Sequence, residues 1–318
     1  MSLNECFVTL LSDIAAPTFH RLDIEPAAPG WTCFNPTLLS THDGLLGIVR
    51  SSNYRIVDGR YVIPPEDGED IRTANILLRL ADDLTVSDAR TIAVDPYQGS
   101  GFPVHGLEDC RLRHTSDGIG VSATVRNVAG FDGRCRIATA ELDVAAARLH
   151  SLRVIESNSS QEHEKNWMPI TGKAAWLYCS NVGGYTLTVE EKAGFPGEYR
   201  MLRREPSPSI AAEFRGGSQL VPFRGGWLCC IHEVRAGANG QRVYEHRLCW
   251  LTNALRLERV SERFAFRESE AIEFAAGLAI GGGRVVISFG VRDAEAWLAT
   301  LTEDDAWQLL KQISQHRP

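Results

Sequence analysis

The sequence predicts an all-β fold, a five-bladed β-propeller, and three observations carry that expectation. Short β-rich runs dominate the chain, among them "LLGIVRS", "IGVSATVRN", "AAWLYCSN", "WLCCIHEV" and "RVVISFGV", and few stretches have the 3.6-residue period of a long amphipathic helix. Each run follows a turn signal ("THDG", "TSDG", "TGK", "RGG", "GGG"), and each turn follows a polar motif. The five motifs, "FNPTLL", "GLEDCRL", "EKNWMPI", "FRGGSQLV" and "EFAAGLAI", recur about 50–75 residues apart, near the length of one four-stranded blade.

The units run in order. In each, the distance from motif to the end of the second strand is alike: Asn35 to Arg50, Glu108 to Arg126, Lys165 to Asn181, Arg215 to His232, and Glu273 to Gly290. The reading is a single domain over residues 1–318 with blades near 31–103, 104–160, 161–212, 213–268 and 269–302. The first blade is lengthened by "DGRYVIPPEDGEDIRT", read as a rim loop, and "EDDAWQLLKQIS" is read as a short closing helix. A pair of β-sandwiches is the competing architecture.

Bulk composition narrows the function. At 318 residues, 44% hydrophobic and 23% charged, the chain is that of a globular protein with ample core. A net charge of −7 argues against a general nucleic-acid or membrane-surface binder. No apolar run approaches the roughly 20 residues of a membrane span, and the start "MSLNECFVTLLSDIAAP" lacks the basic region of a secretion signal. Eight cysteines without C-x-x-C or zinc-like spacing read as reduced, buried thiols in a cytoplasmic protein.

In a propeller the innermost strand of each blade lines the axis, so polar positions of the five motifs converge. The funnel wall then holds Asn35, Arg50, Asn53, Glu108, Asp109, Arg111, Arg126, Lys165, Asn166, Arg215, Ser218, His232, Glu273 and Asp293, with Tyr244, His246 and Arg247 from "YEHR". Guanidinium forks and a lysine beside carboxylates suit an anionic, hydroxyl-rich ligand: the cations hold phosphate oxygens and the carboxylates hold sugar hydroxyls. Each item also has a bland reading. Glu108 and Arg111 could be a structural ion pair that leaves Asp109 free, Lys165 a solvated lysine, the "RGG" glycines a turn, and His232 and His246 core histidines. Adjacent carboxylates repel, which raises one pKa and makes that group a proton donor. No ligand spacing supports a metal, no cofactor is implied, and G-x-S-x-G, P-loop and dinucleotide patterns are absent.

The motifs "NPTLL…IVRS", "GLEDCRL" and "EKNWMPI" resemble those of glycoside hydrolase family 130, the five-bladed β-mannoside phosphorylases and their hydrolytic relatives. The last two units, with "FRGGSQLV…YEHRLCWL" and "ISFGVRD", are more similar to a divergent branch found beside bacterial glycosyltransferases. The resemblance implies an inverting transfer with one catalytic carboxylate, the aspartate of an E-D-P-R motif, which falls on Asp109. Arg111 matches that motif's arginine, Lys165 matches a phosphate-holding lysine, and Cys110 replaces the motif's proline. The His-Arg pair that often follows the third motif is replaced by "LYCSNVGG", so Arg126, Arg215 or Arg247 would have to complete a phosphate clamp. Three readings stay open: cleavage or synthesis of a β-mannoside-like bond with phosphate or a sugar phosphate, metal-independent glycosyl transfer from a nucleotide sugar, and a non-catalytic glycan-binding propeller.

Two expectations follow for the site: Glu108 pairs with Arg111, and Asp109 faces the channel, free of a bidentate arginine, as a general acid.

Overall fold

The computed structural model describes residues 8–131, 133–156, 161–178, 185–192, 197–237 and 241–313. Each polar motif opens an inner strand, and the turn signal after it closes a hairpin. Thr32–Thr41 pairs with Gly44–Ser52, Glu108–His114 with Ile119–Val125, and Met168–Pro169 with Ala175–Tyr178. Val221–Phe223 pairs with Gly226–Ala236, and Glu273–Gly281 with Arg284–Val291. Third strands follow at Ile71–Leu80, Arg136–Asp143, Tyr185–Glu191, Arg242–Thr252 and Glu295–Thr302, giving five antiparallel blades in meander order.

The outer strands hold a feature that sequence reading missed. Blade five, read as ending at residue 302, has only three strands of its own. Its fourth is Thr18–Arg21, from the N-terminal end of the chain, with Thr18 opposite Thr300 and Arg21 opposite Trp297. The ring is therefore closed by hydrogen bonds between two segments far apart in sequence, with Thr18–Arg21 as the blade's outer edge strand. The closing helix is Glu303–Leu309, N-capped by the Thr302 hydroxyl, which accepts from the Asp305 N–H. Lys311–Gln312 then adds a strand to blade four beside Leu257–Val260. The supposed rim loop folds into a hairpin, Arg55–Val57 with Arg60–Val62, followed by a 3-10 turn at Pro65–Asp67.

Closure into five blades shows in the core. Among the described residues the buried side chains form five apolar clusters, and each straddles one interface between neighbouring blades. Leu39, Leu46 and Leu77 meet Leu112 and Val121 between blades one and two, and Ile137 meets Trp167 and Trp176 between two and three. Met168 and Ile170 meet Leu220 and Cys229, Leu228 and Leu248 meet Leu278 and Ile287, and Val286 and Leu298 meet Leu38 and Val49. Six cysteines lie among the described residues, all free and buried.

Near the axis the inner strands approach so closely that side chains would not fit. A Cβ on Gly216 would come within 1.8 Å of the Asn166 carbonyl, and one on Gly290 within 2.1 Å of Asn35 Oδ1. The glycines of "RGGS" thus serve strand packing. Gln219, fully buried, stitches three blades: its amide nitrogen donates to the carbonyls of Leu38 at 2.5 Å and Leu278 at 2.9 Å, and its oxygen accepts from Leu278 N–H.

Three inner strands carry a residue in the left-handed region at or near their start: Asn35 (φ 49°), Asp109 (φ 50°) and Asn166 (φ 60°). Register breaks follow in blades one and two, between Phe34 and Thr37 and between Glu108 and Arg111. Asn and Asp are the side-chain-bearing residues that best tolerate this conformation. The repeated bulge re-aims one polar side chain per blade.

Candidate active site

The re-aimed residues meet at a cavity of about 250 Å³ to which all five blades contribute. Blade one supplies Asn35, Arg50 and Tyr54; blade two supplies Glu108, Asp109, Thr124 and Arg126; blade three supplies Lys165 and Asn166. His232, Arg242 and Tyr244 come from blade four, and Phe274 and Asp293 from blade five.

Arg50 organises the charges. Its guanidinium is almost wholly buried, under the rings of Phe34 and Tyr54. One nitrogen lies 3.2 Å from Asp109 Oδ1 and another 3.3 Å from Glu108 Oε1, so a single arginine is shared by the adjacent carboxylates. This corrects the expected Glu108–Arg111 pair. Arg111 instead lies buried beneath the cavity floor, donating to the carbonyls of Gly217 at 2.5 Å and Asp109 at 3.0 Å and to Asn166 Oδ1 at 3.5 Å. The bulge at Asp109 lets Arg111 run toward blades three and four, and Glu108 turns to the cation on the neighbouring blade.

Asp109 also accepts from the Asn35 amide at 2.9 Å. Burial would raise its pKa, but Arg50, the Asn35 hydrogen bond and Arg111 outweigh burial and hold the carboxyl below its ordinary value. Asp109 is not in a bidentate pair, and the lowered pKa leaves it ionised near neutrality, where a general acid was expected to hold its proton. Asp293 is displaced the other way. Burial pushes it up to about 6, against Arg50 and the Tyr54 hydroxyl, which donates to it at 2.8 Å. His232 is held well below its usual value, first by burial and then by His246 and nearby cations, so its imidazole is neutral. It stacks on Tyr244 with ring centroids 4.7 Å apart.

The remaining cations face the cavity without carboxylate partners. Lys165 is exposed and makes no hydrogen bond or ion pair among the described residues, and neither does Arg242. Arg126 covers the Phe102 ring and donates to the Gly133 carbonyl at 3.0 Å.

Other residues expected at the funnel lie elsewhere. Asn53 ties the Asp70 carbonyl to the Arg72 N–H. Arg215 is exposed outside the cavity, paired in register with His232. Arg247 is taken by Glu233 at 2.6 Å and the Ser261 carbonyl at 2.7 Å. Ser218 bonds the Cys230 N–H. His246 is packed against Phe264 and Phe266, and burial lowers it to about 3. Arg247 is thus engaged within blade four, while Arg215, outside the cavity lining, lies near enough to His232 to lower its pKa. Of the "LYCSNVGG" stretch, only Leu177 and Tyr178 are described; Cys179–Gly184 lie outside the described residues.

Glu273 is buried below the cavity, where its carboxyl accepts from the N–H groups of Phe266, Arg267 and Glu268 at 2.6–3.0 Å. Burial raises it to about 7 despite those donors. The folded state therefore holds a proton that the unfolded chain releases near 4.5, so stability falls as pH rises from about 4.5 to 7. Glu273→Gln should flatten that slope in chemical denaturation at stepped pH; an unchanged slope would assign it to another group.

Sequence reading missed Tyr54, Tyr61, Thr124, Arg242 and Phe274 at the cavity. Tyr54 and Phe274 each adjoin a chosen residue, Asn53 and Glu273; in the strand Glu273–Gly281, alternation places Phe274 on the face opposite Glu273. Among the described residues no group of histidine, cysteine, aspartate and glutamate side chains is arranged to hold a metal, and no helix is long and apolar enough to cross a membrane.

Fold and cavity together define a five-bladed propeller with a mixed-charge site on its axis. No protein-family model matches the chain, and no curated protein sequence matches it. Solved structures do. β-1,2-Mannobiose phosphorylase from Listeria innocua, in complex with β-1,2-mannobiose, aligns with a TM-score of 0.54 at 13% identity, over 92% of this chain and 96% of that one. MPT-4, a mannose phosphorylase from Leishmania mexicana in complex with phosphate, aligns with a TM-score of 0.56 at 12% identity, over 93% and 91%. A structure from the GH130 family of mannoside phosphorylases, which contains hydrolases that target β-1,2 mannosidic linkages in Candida mannan, aligns with a TM-score of 0.57 at 11% identity, over 93% and 96%. The fold of this chain is that of the GH130 propellers.

Proposed function

We propose that the chain is a carbohydrate-active enzyme that makes or breaks a β-mannoside-like bond with inversion, using phosphate or a sugar phosphate. The observation that carries this reading is an ionised Asp109, aimed into the cavity by a left-handed bulge, across from cations that pair with no carboxylate among the described residues. Phosphate in the complex of the Leishmania phosphorylase and mannobiose in that of the Listeria enzyme support the same pair of ligands here.

The charge state favours the synthetic direction. Asp109 takes the proton of the acceptor hydroxyl as its oxygen attacks the anomeric carbon; the bond from that carbon to the phosphate oxygen breaks, and the phosphate leaves with its electron pair. Lys165 and Arg126 hold the charge that develops on the leaving group. Run backwards, Asp109 must first receive a proton, from a phosphate monoanion or through a sugar hydroxyl. Asp293, neutral below about pH 6, and His232, neutral throughout, are hydrogen-bond partners for sugar hydroxyls.

Arg242, a further cation without an ion pair among the described residues, favours a second reading in which a nucleotide sugar is the donor and two phosphates are held. Phosphorus NMR of reactions supplied with mannose 1-phosphate or with a nucleotide-linked mannose separates the two. Inorganic phosphate released only in the presence of acceptor supports phosphorylase chemistry, and nucleoside diphosphate supports transfer. Release of neither, with glycan binding retained, would leave a binding propeller.

A further inference from the structure

The cavity wall is not polar all round. On the side of the blade-one insertion it consists of Ile56, Tyr61, Ile71 and Val104, with Ile272 from blade five. Backbone pairing sets this surface: Ile56 and Tyr61 are cross-strand partners in the hairpin, and Ile71 and Val104 are partners across a short parallel ladder. Each pair turns toward the cavity. Tyr61 is 61% exposed, so burial does not hold it; its ring is braced edge-on against Tyr54 at 4.9 Å, and Tyr54 is itself tied to Asp293. The exposed Tyr61 ring lines the cavity and is available to a ligand.

A second sugar unit would bring several hydroxyls against this wall, where Ile56, Ile71, Val104 and Ile272 offer no hydrogen bond and only the Tyr61 phenol, with Arg242 and Tyr244 at its margin, does. Unpaired hydroxyls on an aliphatic wall are costly, and sites of this make-up select apolar groups. We propose that this wall takes an apolar aglycone, an aryl or alkyl group on the oxygen that joins the sugar, with Tyr61 as its stacking platform. The inference rests on the carbohydrate reading above and extends it to the far side of the glycosidic bond.

Titration calorimetry with phenyl β-mannoside, methyl β-mannoside and β-1,2-mannobiose, on the wild type and on Tyr61→Ser, tests it. The expected result is that the phenyl glycoside binds the wild type about tenfold tighter than the disaccharide. In Tyr61→Ser that advantage disappears, while methyl β-mannoside affinity and the melting temperature stay as in the wild type. Mannobiose binding as tightly as the phenyl glycoside would overturn this inference alone. Equal losses for the phenyl and methyl glycosides in Tyr61→Ser would remove Tyr61 as the platform and overturn it too. Binding of none of the three would overturn both this inference and the carbohydrate reading.

Discussion

Asp109→Asn should lower turnover by about 10²–10⁴-fold and leave the affinity for the sugar nearly unchanged. The substitution is close to isosteric, and the amide oxygen can still accept from Asn35 and Arg50, so the bulge and cavity persist. What is lost is the site that takes the acceptor's proton. The pH profile carries a second test. A base held below the ordinary carboxylate range stays ionised as pH falls, so synthesis should not fail near pH 4 through Asp109. An inflection near 6 belongs to Asp293 and should vanish in Asp293→Asn, whereas Asp109→Asn should shift it downward, because the Asp109 charge is among the groups that raise Asp293. Turnover in Asp109→Asn close to that of the wild type would transfer the base role elsewhere or end the enzymatic reading.

Lys165→Ala should weaken the anionic partner by about 10–100-fold, the loss of one charge-assisted bond. The acceptor should be unaffected. Lys165 is exposed and has no partner among the described residues, so its removal disturbs no internal contact and the melting temperature should hold. Separate titrations of phosphate, sugar phosphate and neutral acceptor give the comparison. Equal losses for charged and neutral ligands would show that the lysine shapes the cavity without meeting the anion. Arg126→Ala is expected to act in the same direction with an added cost, because its guanidinium also covers Phe102 and bonds Gly133.

What could be read from sequence alone is what local pattern controls. Period-two runs and turn residues determined the hairpins, and their recurrence determined five blades, because a strand's alternation and a turn's backbone demand are written within a few residues. The polar residues that open the inner strands were legible for the same reason: Asn35, Asp109 and Asn166 occupy matching places in three units. What the tertiary structure alone decided is every relation between units. Glu108 and Asp109 find Arg50 on the neighbouring blade, 58 and 59 residues earlier in the chain, and no local signal ranks that partner above Arg111. Blade five takes its last strand from residues 18–21, a pairing that costs loop-closure entropy and is settled only when the ring is complete. The insertion read as a rim loop brings Tyr61 to the cavity, while Arg215 and Arg247, equally basic in sequence, do not line it. The ionisation of Asp109 follows from those placements: burial alone would have made it an acid, and the shared arginine on the adjacent blade keeps it a base.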